Sequence, residues 1–131
     1  MFKNAFDVGL LLLRLAFGSM MIYGHGWGKL MRFFADDPIK FSDPIGVGVL
    51  PSLVLAVFAE VVCSFLVSIG WLTRWAVIPL AITMFVASFI SHGGDPFSRM
   101  EKPLMYLVVF IAIFLLGPGK YSVDGLLKKK A

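Results

Sequence analysis

Val8-Gly-Leu-Leu-Leu-Leu-Arg14-Leu-Ala-Phe-Gly-Ser-Met-Met-Ile-Tyr23 and Pro51-Ser-Leu-Val-Leu-Ala-Val-Phe-Ala-Glu60-Val-Val-Cys-Ser-Phe-Leu-Val-Ser-Ile-Gly70 decide the fold of this chain. Each run is long enough to cross a hydrocarbon layer of about 30 Å at about 1.5 Å per residue. Each carries a single charge, Arg14 in the first and Glu60 in the second. An ionisable side chain at the centre of a membrane helix costs roughly 2.5–3.5 kcal/mol on insertion scales, so it faces the bundle interior and finds a partner. The two residues have opposite signs and lie on successive segments. The expectation is a buried ion pair between Arg14 and Glu60.

Composition agrees with a membrane protein. Apolar residues make up 59% of the 131 residues, against about 45–50% in soluble domains. Charged residues make up 15%, and the mean hydropathy is +0.88. The net charge of +4 is concentrated in the run Lys128-Lys129-Lys130, which reads as a topology signal or a contact with anionic lipid. No broad basic surface or reading motif points to nucleic acid. Cys63 is the sole cysteine, so an internal disulfide framework, a CxxC pair and a thiolate zinc site are excluded. The first apolar run is interrupted by Arg14 and lacks a small-residue cleavage pattern, so it reads as a retained helix.

The expected fold is all-α, an integral membrane four-helix bundle forming a single domain over residues 1–131. Its helices are expected at about 8–24, 51–70, 75–91 and 103–116. The fourth has a second possible start at Asp95-Pro96, with Asp as cap and Pro in the first turn. Gly70-Trp-Leu-Thr-Arg74 reads as a tight hairpin, and Gly117-Pro-Gly119 as a stop. Trp27-Gly-Lys-Leu-Met-Arg-Phe-Phe34 reads as an amphipathic surface turn, and Ile45 to Leu50 as a segment dipping back into the bundle. Four crossings put both termini on one side with Lys3, Arg74, Lys120 and the terminal lysines. The other side holds Lys29, Arg32, Lys40, Arg99 and Lys102. The slight basic excess predicts cytoplasmic termini in a multi-pass membrane protein.

Arg14, Gly18, Met21 and His25 share one helical stripe at i, i+4, i+7 and i+11. Glu60 and Ser64 share another, with Cys63 one position round. Counting from the segment ends, Arg14 and Glu60 differ in depth by about 6 Å, within reach of an arginine fork. His25 and His92 fall at the end opposite the termini, with Ser88 one turn below His92. A ligand pocket is therefore expected between Arg14, His25, Glu60 and His92, lined by Met21, Cys63 and Ser88. The competing reading is a dry interior in which the charges fix helix register. Two histidines without a third ligand make no zinc site, and Gly24-His-Gly-Trp-Gly28 suits close helix packing. No serine triad, phosphate loop or haem-attachment motif is present.

Arg14, Gly18, Tyr23-Gly-His-Gly-Trp-Gly-Lys-Leu30, Glu60, Gly70 before Thr73-Arg74, and Gly117-Pro-Gly-Lys-Tyr-Ser-Val-Asp124 together resemble the DoxX family of small bacterial membrane proteins. The resemblance runs over nearly the whole chain and is weakest in the middle of the first loop. It implies a four-helix membrane bundle associated with oxidoreductase assemblies. Relatives include a subunit linked to thiosulfate:quinone oxidation and a partner of superoxide dismutase and a sulfurtransferase in a mycobacterial membrane complex.

Three functional readings stay open at this point. The first is a redox-associated subunit that binds a quinone or a small thiol-type molecule, with soluble or membrane oxidoreductase subunits as partners. The second is a small-solute or proton-linked transporter gated by Arg14 and Glu60, for which homo-oligomerisation would supply a second gate. The third is a non-catalytic scaffold. No autonomous catalytic motif and no intrinsic cofactor motif is present, so any electron carrier is a quinone or belongs to a partner. The lipid bilayer is a partner in every case.

Overall fold

The computed structural model describes residues 4–35, 38, 41 and 43–130, with backbone alone for residues 129 and 130. Lys3 and Lys40, which entered the topology count, lie outside the described residues. The described chain is helical, with no strand. Four long helices follow one another: α1 (Ala5–Phe34), α2 (Val49–Ile69), α3 (Thr73–Ser91) and α4 (Phe97–Leu116). A short α5 (Val123–Lys130) closes the chain. The first three are long and apolar enough to cross a membrane. The first turns of α4 carry Arg99, Glu101 and Lys102, so its apolar part begins near Pro103.

The helices close into a ring, α1 on α2, α2 on α3, α3 on α4 and α4 on α1. The core fills their shared interior with Met21, Cys63, Val67, Leu80, Phe110 and Ile113 among others. Large apolar side chains cover the outside, such as Leu12, Val62, Phe85 and Leu115. That inside-out display is what a lipid-facing bundle requires.

α1 departs from expectation. The chain does not leave the helix near Gly24. A π-helical turn spans Ile22–Gly26, marked by the Trp27 N–H reaching back to the Ile22 carbonyl. The helix then continues through Trp27–Met31 and a last 3-10 turn. Glycine weakens a helix by only about 1 kcal/mol per residue, so three glycines among long apolar stretches do not end it. Trp27 to Phe34 is therefore helix rather than a surface turn. α4 also starts earlier than 103, at Phe97, with Pro96 as the flanking residue. Asp95 does not cap it; its carboxylate turns back to the His92 Nδ1 at 3.1 Å. Of the segment expected to dip inward, Ile45 lines a cavity, whereas Val49 and Leu50 open α2.

The start of α1 and the segment that follows α4 meet at one end of the bundle. Lys120 donates its backbone N–H to Asp7 Oδ1 at 2.9 Å. The backbone N–H groups of Leu72 and Thr73, at the start of α3, donate to the two Asp124 carboxylate oxygens at 2.9 and 3.0 Å. α2 ends in a Schellman turn, with Gly70 at φ +74° and the Trp71 N–H on the Leu66 carbonyl at 2.9 Å. Arg74 Nε donates to the Phe114 carbonyl in the last turn of α4 at 3.0 Å. A carboxylate thus sits on the helix start and a cation on the helix end, as the peptide dipoles favour.

Candidate functional site

Glycines set the register of α1 on α2. A Cβ at Gly18 would lie 3.0 Å from the Ser64 carbonyl oxygen, and one at Gly26 would lie 2.7 Å from that of Glu60. The two backbones therefore touch at both levels. Gly24 and Gly28, the small pair expected to do this, have open space around them. The π turn explains the change. It inserts an extra residue, so the inward stripe Arg14, Gly18, Met21 continues at Gly26 rather than at His25.

This register separates the two buried charges. Arg14, fully buried, lies level with the last turn of α2. Its Nη1 donates to the carbonyls of Val67 at 3.4 Å and Ser68 at 3.0 Å, and its Nη2 to the Tyr121 carbonyl. Glu60 lies opposite Gly26, about 18 Å further along α1 at 1.5 Å per residue. Its partner is Lys29, whose Nζ stands 2.6 and 2.7 Å from the two carboxylate oxygens. The expected Arg14–Glu60 pair is replaced by a Lys29–Glu60 pair and an arginine bound to carbonyls. The depth count from segment ends failed because α1 starts at Ala5 and runs on to Phe34.

Glu60 is 1% exposed at its side chain and Lys29 24%. Together they form part of the wall of a cavity of about 650 Å³ between α2 and α3. The stripe Pro79, Ile82, Thr83, Val86, Ala87 on α3 faces Ser52, Leu55, Ala56, Ala59 on α2 across it, and Phe41, Pro44 and Ile45 roof it. Ser91 and His92 lie at the loop end. Most of the polar lining is already engaged. Ser52 Oγ donates to Asp43 at 2.9 Å, Thr83 Oγ1 donates to the Pro79 carbonyl at 2.8 Å, and His92 Nδ1 is bound to Asp95. Lys29 keeps one N–H beyond the two given to Glu60, and His92 keeps its Nε2.

Two of the expected site residues, Glu60 and His92, line this cavity. The others are elsewhere. His25 sets its ring edge-on to Tyr106 of α4, centroids 5.5 Å apart. Met21 and Cys63 are packed in the apolar core. Ser88 is fully buried with its hydroxyl unpartnered among the described residues. Arg14 belongs to the opposite end of the bundle. Lys29 was missed because it was read as a loop residue at the mouth; its place one turn beyond Gly26 on a continuing helix was the available signal.

The roof is tied down by Asp43. Its carboxylate accepts the backbone N–H groups of Val47 and Gly48, each at 2.9 Å, as well as the Ser52 hydroxyl. Desolvation pushes this carboxyl up, but Ser52 and the backbone donors outweigh it and hold the group below the usual aspartate range. Phe41 lies under two cations, with Lys29 Nζ 5.8 Å and the Arg32 guanidinium 5.4 Å from its ring centre. Among the described residues, no three His, Cys, Asp or Glu side chains come close enough together to hold a metal ion.

A ring of apolar helices with one buried, neutralised charge pair beside an elongated cavity defines a small polytopic membrane protein with an intramembrane pocket. The chain belongs to the DoxX family, whose sequence profile it matches over residues 9–93. It is similar to the inner membrane protein YqjF of Escherichia coli K12, 28% identical with 98% of each chain covered. It is also similar to two uncharacterized proteins of Haemophilus influenzae. One is 30% identical, covering 92% of each chain. The other is 29% identical, covering 75% of this chain and 68% of the relative. No solved structure matches it. The family and the YqjF likeness, with three apolar spanning helices, make it a multi-pass protein of the bacterial inner membrane.

Proposed function

We propose that this protein is a redox-associated membrane subunit that binds a quinone or a small thiol-type molecule in the cavity between α2 and α3. The observation that carries the reading is the Lys29–Glu60 pair on the wall of that cavity. Charged groups at this depth are costly and mark ligand or ion paths. An apolar pocket with a few convergent polar groups suits a small ligand with one polar head. Electrons would pass to an oxidoreductase partner, since no sequence motif here holds a carrier. Both termini face the cytoplasm in this reading, because their end of the bundle holds Arg74, Lys120 and the lysine tail.

The test is purification in native lipid followed by mass spectrometry of bound small molecules and proteins. The expected result is a redox-active small molecule retained by the wild type and lost from Glu60→Gln. Wild-type protein carrying no such molecule would overturn the reading, and proton or solute flux in vesicles would favour the transporter.

A further inference from the structure

We infer that the cavity takes a chain-bearing amphiphile with an uncharged, oxygen-bearing head, which enters sideways from the bilayer between α2 and α3; this rests on the ligand-binding reading above. The first observation is the position of the mouth. Leu55, Phe58 and Ile82 all line the cavity, yet they are 52%, 48% and 59% exposed. Residues that belong both to the cavity wall and to the outer surface mark its opening. Ile45, also on the wall and 51% exposed, opens the cavity at the loop end, and Ile82 is the midpoint of α3, Thr73–Ser91, so the opening extends to the flank of the bundle at mid-depth. There the surroundings are acyl chains rather than water.

The second observation is shape. The α3 stripe from Pro79 to His92 extends about 20 Å at 1.5 Å per residue, longer than a compact solute needs and suited to an extended chain. The third is charge. Lys29 and Glu60 cancel one another at 2.6 and 2.7 Å, and His92 is bound to Asp95 at 3.1 Å. An ionic head would either add an unbalanced charge beside the neutral Lys29–Glu60 pair or displace Lys29 and leave the buried Glu60 carboxylate alone. A carbonyl oxygen can accept the remaining Lys29 N–H, and a hydroxyl can donate to the His92 Nε2, whose ring gives its Nδ1–H to Asp95. Apolar walls at Ala56, Ala59 and Val86 then hold the chain.

The test uses the full-length protein in phospholipid vesicles and decylubiquinone carrying a diazirine in its alkyl chain. Illumination followed by mass spectrometry maps where the chain lies. We expect labelling on Leu55, Phe58 or Ile82 that excess decylubiquinone removes. Ile82→Trp, which fills the mouth at a lipid-facing position, should lower it about tenfold, equivalent to about 1.4 kcal/mol of binding. Leu12→Trp, on the outer face of α1 away from the cavity, should leave it unchanged. Competition by decyl phosphate or decyltrimethylammonium as strong as that by decylubiquinone would overturn the uncharged head. Equal competition by the quinone ring lacking its chain would overturn the amphiphile while leaving the redox-ligand reading intact. A quinone that co-purifies with the protein but never labels the flank would overturn the lateral entrance alone.

Discussion

Glu60 is held by Lys29, 31 residues away in the chain, and not by Arg14, the other cation buried in the bundle. The two charges therefore do different work. Arg14 closes helix ends, and Lys29–Glu60 forms a neutral polar spot inside an apolar cavity.

Double-mutant cycles separate these roles. Lys29→Ala should cost roughly 3–5 kcal/mol, because it strands the buried Glu60 carboxylate, and Glu60→Ala should cost less, because the lysine it frees is 24% exposed. Combined, they should cost clearly less than their sum. Arg14→Ala combined with Glu60→Ala should instead add to within about 0.5 kcal/mol, as expected for distant sites. Reversible unfolding in mixed micelles gives both numbers, and strong Arg14–Glu60 coupling would contradict the register described here.

Glycine substitutions test the same register. Gly26→Ala forces a Cβ to 2.7 Å from the Glu60 carbonyl oxygen and from Val61 Cγ2. It should destabilise by about 1–3 kcal/mol, as overpacking does. Gly28→Ala meets nothing and should be neutral or mildly stabilising. Melting temperatures of the two variants that move together would contradict the asymmetry.

Asp124 closes the start of α3 from 51 and 52 residues away. Asp124→Ala should cost about 1–2 kcal/mol, as loss of a capping carboxylate does, and should speed hydrogen exchange at Leu72 and Thr73. Unchanged exchange at these two amides would show that the cap carries no weight.

The roof of the cavity should loosen in acid. Asp43 titrates below its ordinary range when folded. Its contribution is present above the unfolded value near pH 4 and fades as pH falls through the lower folded value. Protection factors at Val47 and Gly48, which correct for the intrinsic pH dependence of amide exchange, should fall in that acid range in the wild type. In Asp43→Asn they should already be low at neutral pH. Protection factors that stay constant through the acid range in the wild type would refute this.

Topology is measured by reporter fusions. A cytoplasmic reporter at Ala131 and a periplasmic reporter between residues 36 and 43 should be the active ones. A periplasmic reporter active at Ala131 would reverse the orientation.

The helices could be read from apolar run length, because lipid demands continuous apolar surface and internally bonded backbone. The end of α1 could not. The first apolar run reads as ending at Gly24, yet the π turn at Ile22–Gly26 takes in Gly24 and Gly26 and the helix continues past Gly28. That extra residue also turned His25 towards Tyr106 and brought Lys29 to Glu60. That Glu60 and His92 share one cavity was legible, because charge and position marked them. Arg14 was legible as buried, but its partners are backbone carbonyls, which any residue provides and no side-chain pattern reveals.

The bond from Arg14 to the Tyr121 carbonyl joins residues 107 apart, and this gives the chain a built-in order of completion. As the ribosome delivers it, α1 is made first and its guanidinium waits for the end of α2. Its third acceptor exists only after α4 has been made. A nascent chain stopped before Tyr121 keeps an under-bonded cation among its helices and leaves the start of α3 without Asp124. Only the finished chain supplies that third carbonyl and buries the same charge completely.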